Sequence, residues 1–99
     1  MHPKQKVHLD KKYLAWIRTK PCLACGATEG IQAHHCWCSG KKNHGNDRLV
    51  VPLCVSCHTF GKHAYHNIGH ERFEEHWNLD LKDEIINYLS EYLETKNGF

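Results

Sequence analysis

Residues 51–58 read VPLCVSCH, and residues 21–26 further upstream read PCLACG. Each stretch carries a Cys-x2-Cys pair, Cys22 with Cys25 and Cys54 with Cys57. This spacing lets both sulfurs of a pair bind one ion from a single turn of chain. Two such pairs, separated by enough chain for a short sheet, are typical of a tetrahedral zinc site. We therefore predict a structural zinc site with these four cysteines as ligands, spanning residues 22–57.

Two disulfides or a redox pair are the alternatives for the same cysteines. The first residues, up to Lys12, are polar and lack the apolar segment of a secretory signal, so we expect a cytoplasmic protein. No apolar run has membrane-spanning length, and no membrane partner is expected. Cytoplasmic Cys-x2-Cys pairs bind zinc more often than they form disulfides. A secreted, disulfide-held protein stays as a further alternative.

Cys36 and Cys38 are not part of this predicted zinc site, because Cys-x-Cys spacing is poor for chelating one ion with the others. They can join His44 in a further metal site. The simpler interpretation is a small buried hydrophobe and a loop thiol, and we favour it.

The chain of 99 residues allows one domain, and a core of this size often needs a metal or disulfide to stabilise it. Its formal net charge is +2, which four thiolates around one zinc ion would bring close to neutral. Attraction to nucleic acid must therefore come from local charge and bound cations rather than from global charge.

Hydrophobic periodicity and capping residues predict a small α+β fold. The expected elements are a helix over residues 10–20 with Asp10 as N-cap, strands over 30–37 and 48–53, a helix from Cys54 interrupted at Gly61 and Gly69, a helix over 70–77, and a last helix from 81 to about 94 after Asp80.

A set of histidines lies between and after the cysteine pairs. The ordered motifs are Ala33-His34-His35, Asp47, the VPLCVSCH stretch ending at His58, and His66-x2-Gly69. Together with residues 13–18, PCLACG and the stretch from Phe73 to Leu81, they resemble the HNH (ββα-metal, or His-Me finger) endonucleases of phages and prophages, including relatives of the recombination-enhancement (Ref) nuclease group. This resemblance implies a bacterial or phage-infected host. The resemblance covers most of the chain.

The resemblance implies a fold and an activity. It implies a single HNH nuclease domain over residues 1–99, with a ββα core over about 30–68, a preceding N-terminal helix and C-terminal helices over about 70–95. The implied activity is hydrolysis of DNA phosphodiester bonds with a divalent cation (Mg2+, Mn2+ or Zn2+), with weak sequence selectivity. One cation can neutralise both phosphate and leaving group, and a neutral imidazole can accept the proton of the attacking water.

The resemblance also implies residue roles. His35 is the expected general base, and His34 and His58 are expected metal ligands. Asp47 is either a further ligand, which we slightly prefer, or a residue that orients His35. His66 is the expected third histidine ligand, with His63 as its rival. His34 or His58 can alternatively complete the zinc site in place of a cysteine.

Geometry limits two of these assignments. Adjacent residues on a strand point to opposite faces, so His34 and His35 reach one site only if the strand bends or ends there. On an unbroken helix, His58 and His66 would lie roughly 12 Å apart along the axis, too far to share one ion. A joint site therefore requires Gly61 to break the helix.

The partners follow from the same interpretation. DNA phosphates are expected at Lys41, Lys42, Arg48 and Lys62, unless these are ordinary surface cations. A recombinase partner is possible but unsupported, and a monomer and a dimer are both open. His44, His63, His70 and His76 are expected as surface or packing residues. The alternative function is a non-catalytic zinc module that binds nucleic acid or protein.

Overall fold

The computed structural model describes residues 10–36 and 47–96. The predicted small α+β fold is confirmed there. The elements are α1 (Lys11–Ile17), β1 (Ile31–His35), β2 (Val50–Cys54), a π-helical turn (Ser56–Phe60), α2 (Tyr65–Ile68), α3 (His70–Trp77) and α4 (Leu81–Lys96). Predictions for Cys38, Lys41, Lys42 and His44 lie outside the described residues.

The sheet is an antiparallel pair of strands, in which Ile31 lies opposite Cys54 and His35 lies opposite Val50. Every residue of β2 is buried, because helices cover both of its faces. Val51 and Leu53 contribute to the main core with Phe73, Leu81 and Ile85 of α3 and α4. Val50 packs with Tyr13 and Ile17 of α1 in a second cluster. Strand β2 therefore contacts both α1 and α4, which also contact each other.

The helix ends follow the predicted caps. The Asp10 side chain accepts a hydrogen bond from the Tyr13 amide at 3.1 Å, and that of Asp80 accepts one from the Lys82 amide at 3.1 Å. Helix α1 ends at Ile17 rather than at Lys20. The tighter backbone bonds from Thr19 to Trp16 and from Lys20 to Ile17 close its last turn before Pro21.

The helix predicted from Cys54 onward is wrong in form. Strand β2 continues through Cys54, and only a π-helical turn follows it. The Gly61 amide donates to the Ser56 carbonyl at 2.7 Å, five residues back, and the extended backbone of Gly61 ends the turn. A Cβ at Gly61 would lie 2.6 Å from the Ser56 carbonyl oxygen, so this closure requires glycine. Such turns are frequent at functional sites.

Helices α1 and α4 are joined by aromatic packing and an ion pair. The rings of Tyr13, Trp16 and Tyr92 are in mutual contact, with centroids 4.8–5.7 Å apart. Lys20 Nζ lies 2.6 Å from Glu91 Oε2 and also over the Trp16 ring. Among residues 10–36 and 47–96, no helix combines the length and the apolar character needed to cross a membrane.

Candidate metal centres

The four cysteines predicted as zinc ligands come together in space. Cys22 and Cys25 lie on the turn after α1, Cys54 ends β2, and Cys57 lies in the π-helical turn. Their Sγ atoms all lie within 4.8 Å of one another, with Cys25 and Cys54 only 3.6 Å apart. Ligands about 2.3 Å from a tetrahedral zinc ion have sulfurs roughly 3.8 Å apart. This four-cysteine cluster can therefore hold a zinc ion.

The backbone of the first pair is fixed against the sheet. The Cys22 amide donates to the Ala27 carbonyl at 2.8 Å, and the Gly26 amide donates to the Cys22 carbonyl at 2.9 Å. Gly26 has φ +82, a left-handed conformation that glycine adopts without strain. The Leu23 amide donates to the Pro52 carbonyl of β2 at 2.9 Å. The turn and the strand are thus held in register for a shared ion.

The thiols of the cluster differ in how readily they ionise. Burial opposes ionisation of Cys22, but backbone hydrogen bonds, first from Cys25, outweigh it and lower its pKa to about 7. Burial raises the pKa of Cys57, and the neighbouring cysteines raise it further. Crowded thiolates repel one another, so full ionisation needs a cation at the centre. A zinc ion would supply that charge.

Cys36 lies apart from this cluster. It is buried in the main core, where burial, with a smaller effect of the Glu74 charge, raises the pKa of its thiol to about 12. A thiol of this kind stays protonated at neutral pH, which matches the expected buried hydrophobe.

A second group consists of three imidazoles, His34, His58 and His66, which we call the histidine cluster. Nε2 of His58 lies 3.1 Å from Nδ1 of His34 and 3.1 Å from Nε2 of His66. Ligand nitrogens around one tetrahedral ion, each about 2.0–2.1 Å away, lie roughly 3.3 Å apart. His34 is buried, His58 is half-buried and His66 is exposed. The cluster can hold a cation with one side open to solvent.

The break at Gly61 brings His66 into this cluster, as the predicted condition required. Strand β1 carries His34, the π-helical turn carries His58, and α2, after the break, carries His66. The rival, His63, lies elsewhere. Its ring stacks on that of His76 with centroids 3.8 Å apart, and its carbonyl accepts a bond from the Trp77 indole.

Neighbouring side chains orient two of the imidazoles. Gln32, two residues before His34 on β1, has its Oε1 2.5 Å from Nδ1 of His58. Because that oxygen accepts, Nδ1 of His58 carries the proton and its Nε2 presents a lone pair to the cluster. The Tyr65 ring packs on His34 at 3.9 Å, and its hydroxyl lies 2.6 Å from Nδ1 of His70. Sequence reasoning missed Gln32 and Tyr65 and placed His70 among surface or packing residues.

Burial favours the uncharged form of two members of the cluster, His34 and His58. Burial, and then the neighbouring His58, lower the pKa of His34 to about 3. Burial, then His66, also lowers the pKa of His58. Neutral imidazoles keep lone pairs for a cation. Nε2 of His34 is buried and has no hydrogen-bond partner within residues 10–36 and 47–96.

His35 has a separate partner. It is the last residue of β1, and its Nε2 lies 2.8 Å from Oδ1 of Asp47. The other oxygen, Oδ2, accepts a bond from the Asp10 amide at 2.7 Å. Asp47 is only 5% exposed and is not part of the histidine cluster. Its position suits the orienting alternative better than the metal-ligand role that we preferred from sequence.

Comparison with known proteins shows the family to which the chain belongs. Residues 1–87 match the family model described as "Protein of unknown function (DUF968)". The chain belongs to the DUF968 family. It is 34% identical over 59 residues to the "Uncharacterized protein YdfU" of Escherichia coli (strain K12). That match covers 57% of this chain and 17% of YdfU, so the chain corresponds to a small part of that relative. No solved structure matches the chain.

Four cations of this DUF968 chain were predicted to contact phosphate, and the structure describes two of them, Arg48 and Lys62. Arg48 donates to Oδ2 of Asp10 at 3.3 Å, so it is engaged at the start of α1. Lys62 is exposed and lines an open cavity of about 460 Å³ together with Arg72 of α3. Lys62 is therefore better placed than Arg48 to receive a phosphate.

Proposed function

We propose that this chain is a metal-dependent HNH endonuclease that hydrolyses DNA phosphodiester bonds with weak sequence selectivity. The supporting observation is the histidine cluster, three imidazoles open to solvent on one side. Its buried member, His34, directly precedes His35 on β1, and His35 is paired with Asp47. Open cation sites and carboxylate-held imidazoles are both typical of hydrolytic centres. A purely structural zinc site needs neither.

The histidine cluster would hold the catalytic cation through His34, His58 and His66. When bound, a divalent ion supplies charge neutralisation for the phosphate and the leaving oxygen. Nδ1 of His34 and Nε2 of His58 supply lone pairs, and the exposed His66 leaves room for the substrate. Mg2+, Mn2+ and Zn2+ are the candidates.

His35 would act as the general base. Its Nε2–H donates to Asp47, which leaves Nδ1 to accept a proton from water as the water oxygen bonds to phosphorus. The bond from phosphorus to the leaving oxygen then breaks. Asp47 fixes the tautomer of His35 and stabilises the imidazolium that forms, and the Asp10 amide holds Asp47 in place. Asp47 is therefore assigned as a positioning residue.

The four-cysteine cluster would bind a structural zinc ion that shapes this site. Cys57 belongs to the four-cysteine cluster and the next residue, His58, belongs to the histidine cluster. Fixing Cys57 therefore fixes where the π-helical turn presents His58. In this proposal, the two-stranded sheet, this turn and α2 would together form the ββα core expected from the resemblance. Phage origin and a recombinase partner stay predictions from that resemblance.

Nicking of supercoiled plasmid by zinc-loaded protein, with Mg2+ or Mn2+ added, tests the proposal. We expect wild type to nick and His35→Ala to be slower by about 10²–10⁴-fold, as for the loss of a general base. Ile86→Ala is the control, because Ile86 is an exposed residue of α4 outside both clusters, and it should nick like wild type. Equal rates for His35→Ala and wild type would refute the general-base assignment.

The competing function, a non-catalytic zinc module, makes a different prediction in the same experiment. Wild type would then nick no faster than His35→Ala or a cation-free reaction at any metal concentration. Binding of DNA or protein would persist in His35→Ala and depend only on the four-cysteine cluster.

A further inference from the structure

Phe60 is a large apolar side chain in an unusual position. It ends the π-helical turn and is 79% exposed. The other large exposed apolar residues of the described chain, Ile86 and Leu93, both lie on α4 and are 54% and 56% exposed. Phe60 instead follows His58 of the histidine cluster by two residues, so its Cα lies within about 7 Å of that of His58.

Hydrogen bonds fix the backbone on both sides of Phe60. Nδ2 of Asn67 donates to the Thr59 carbonyl at 3.1 Å and to the Gly61 carbonyl at 2.6 Å. The Gly61 amide is bound to the Ser56 carbonyl, where a side chain at position 61 would not fit. These contacts hold the backbone in the conformation in which the Phe60 side chain is exposed. Asn67 directly follows His66, so the same short helix anchors Phe60 and completes the histidine cluster.

Positive charge lies on the same connection. Lys62, two residues after Phe60, and Arg72 of α3 line the cavity of about 460 Å³ with His63, Ile68, Glu75 and His76. Within residues 10–36 and 47–96, neither Lys62 nor Arg72 forms an ion pair, although Glu75 lies on the same cavity. Phe60 does not line this cavity, but it lies two residues before Lys62 in the chain. Exposed aromatic rings combined with cations are typical of surfaces that bind single-stranded nucleic acid.

We infer that Phe60 stacks on an unpaired DNA base while Lys62 and Arg72 bind the phosphate beside it. The inference rests on the proposed nuclease function and names its preferred substrate as DNA that is single-stranded next to the scissile phosphate. A base in a duplex is already stacked on its neighbours, so its face is closed to an aromatic side chain. An unpaired base offers that face. Successive nucleotides of a strand are at least ~3.4 Å apart, so a base one or two nucleotides from a phosphate bound at the histidine cluster can reach Phe60.

Binding of fluorescein-labelled oligonucleotides, followed by anisotropy, tests the inference. The full zinc-loaded chain is titrated with single-stranded DNA and with a blunt-ended, fully paired duplex of matching sequence, without added divalent cation. Phe60→Ala should weaken single-strand binding by roughly 5- to 100-fold, the range for losing one stacked base, and leave duplex binding within about twofold. Phe60→Trp should retain single-strand binding, because it keeps an aromatic face.

Two controls separate stacking from general effects. Ile86→Ala removes a comparably exposed apolar side chain on α4 and should change neither affinity. Lys62→Ala and Arg72→Ala should weaken binding to both DNAs and reduce the dependence of affinity on salt by about one counterion each. This would distinguish the phosphate contacts from the stacking contact.

The outcomes separate this inference from the proposed function. If wild type nicks plasmid but Phe60→Ala binds single strands as tightly as wild type, the stacking inference is wrong and the nuclease proposal stands. If wild type never nicks but single-strand binding depends on Phe60, the nuclease proposal is wrong and the stacking surface stands. If Phe60→Ala abolishes self-association in sedimentation without changing DNA affinity, Phe60 is a contact between copies and the inference is overturned.

Discussion

Replacing Gly61 by alanine is a direct test of how the histidine cluster is assembled. The new Cβ would lie 2.6 Å from the Ser56 carbonyl oxygen and 3.1 Å from its Oγ. The backbone of Gly61, with φ −72 and ψ 159, is one that alanine also adopts. The conflict is therefore steric and not conformational. The bond between the Gly61 amide and Ser56 must lengthen, which moves α2, with His66, away from His58.

The expected cost comes from two opposing effects. Overpacking against backbone costs about 1–3 kcal/mol of unfolding free energy. Replacing glycine by alanine in a permitted conformation stabilises the fold by about 0.4–1 kcal/mol, because alanine restricts the unfolded chain. The net loss is about 1–2 kcal/mol. Because His66 Nε2 lies 3.1 Å from His58 Nε2, a shift of a few tenths of an ångström spoils the ligand spacing, and we expect about tenfold weaker cation binding.

Urea unfolding measures the stability change, and electron paramagnetic resonance of free Mn2+ measures cation binding to zinc-loaded protein. Gly69→Ala is the matched control, because Gly69 has φ +90 with no atom within 4 Å of an added Cβ. Gly69→Ala should lose about 1–2 kcal/mol of unfolding free energy through backbone strain. Its Mn2+ affinity should stay closer to that of wild type than the affinity of Gly61→Ala does. If Gly61→Ala were as stable as wild type and bound Mn2+ equally well, the described closure of the turn would be refuted.

Three further predictions concern the two metal centres and the base. Strong chelation should release zinc and unfold the chain, since a structural zinc contributes on the order of 10 kcal/mol, whereas thiol reduction alone should leave circular dichroism unchanged. Asp47→Asn should keep the bond from the Asp10 amide but present an amide to His35, so plasmid nicking should fall by about 10²–10⁴-fold with little change in urea midpoint. In the folded chain the pKa of His34 is lowered to about 3, whereas in the unfolded chain it is 6.5. Between pH 7 and pH 5 the unfolded residue therefore takes up a proton that the folded residue does not, and the free energy of unfolding should fall by about 2 kcal/mol. Urea unfolding of His34→Asn should lack this component, and a loss as large as in wild type would contradict the described burial of His34.

Local rules account for the features that the sequence predicted well. The Cys-x2-Cys spacing placed all four cysteines in one cluster, and the cap at Asp10 and the bounds of α3 follow from residues within one turn of each other. Likewise, the break at Gly61 was a stated condition for joining His58 to His66, and the structure meets it. The cap, the helix bounds and the break depend on neighbours in the chain, whereas the two cysteine pairs, 29 residues apart at Cys25 and Cys54, were joined by the four-ligand requirement of one zinc ion.

Features that depend on tertiary contacts were outside the reach of sequence reasoning. Asp47 is held by the Asp10 amide, 37 residues earlier in the chain, and no periodicity links these residues. The contact between Tyr65 and His70 crosses the left-handed Gly69, so helical spacing does not predict it. Gln32 is different. Its position two residues before His34 on a strand places both on one face, and this signal was available.

The π-helical turn explains why one short chain can serve both centres. Its residues Cys57 and His58 are adjacent, yet the first contributes to the four-cysteine cluster and the second to the histidine cluster. The far end of the turn is closed by Gly61 and by Asn67 of α2, beside His66. A zinc ion bound at Cys57 would therefore, together with the closure at Gly61, hold His58 from both sides. Loss of either restraint should weaken cation binding at the histidine cluster, which makes the cysteines indirect contributors to any chemistry at His34, His58 and His66.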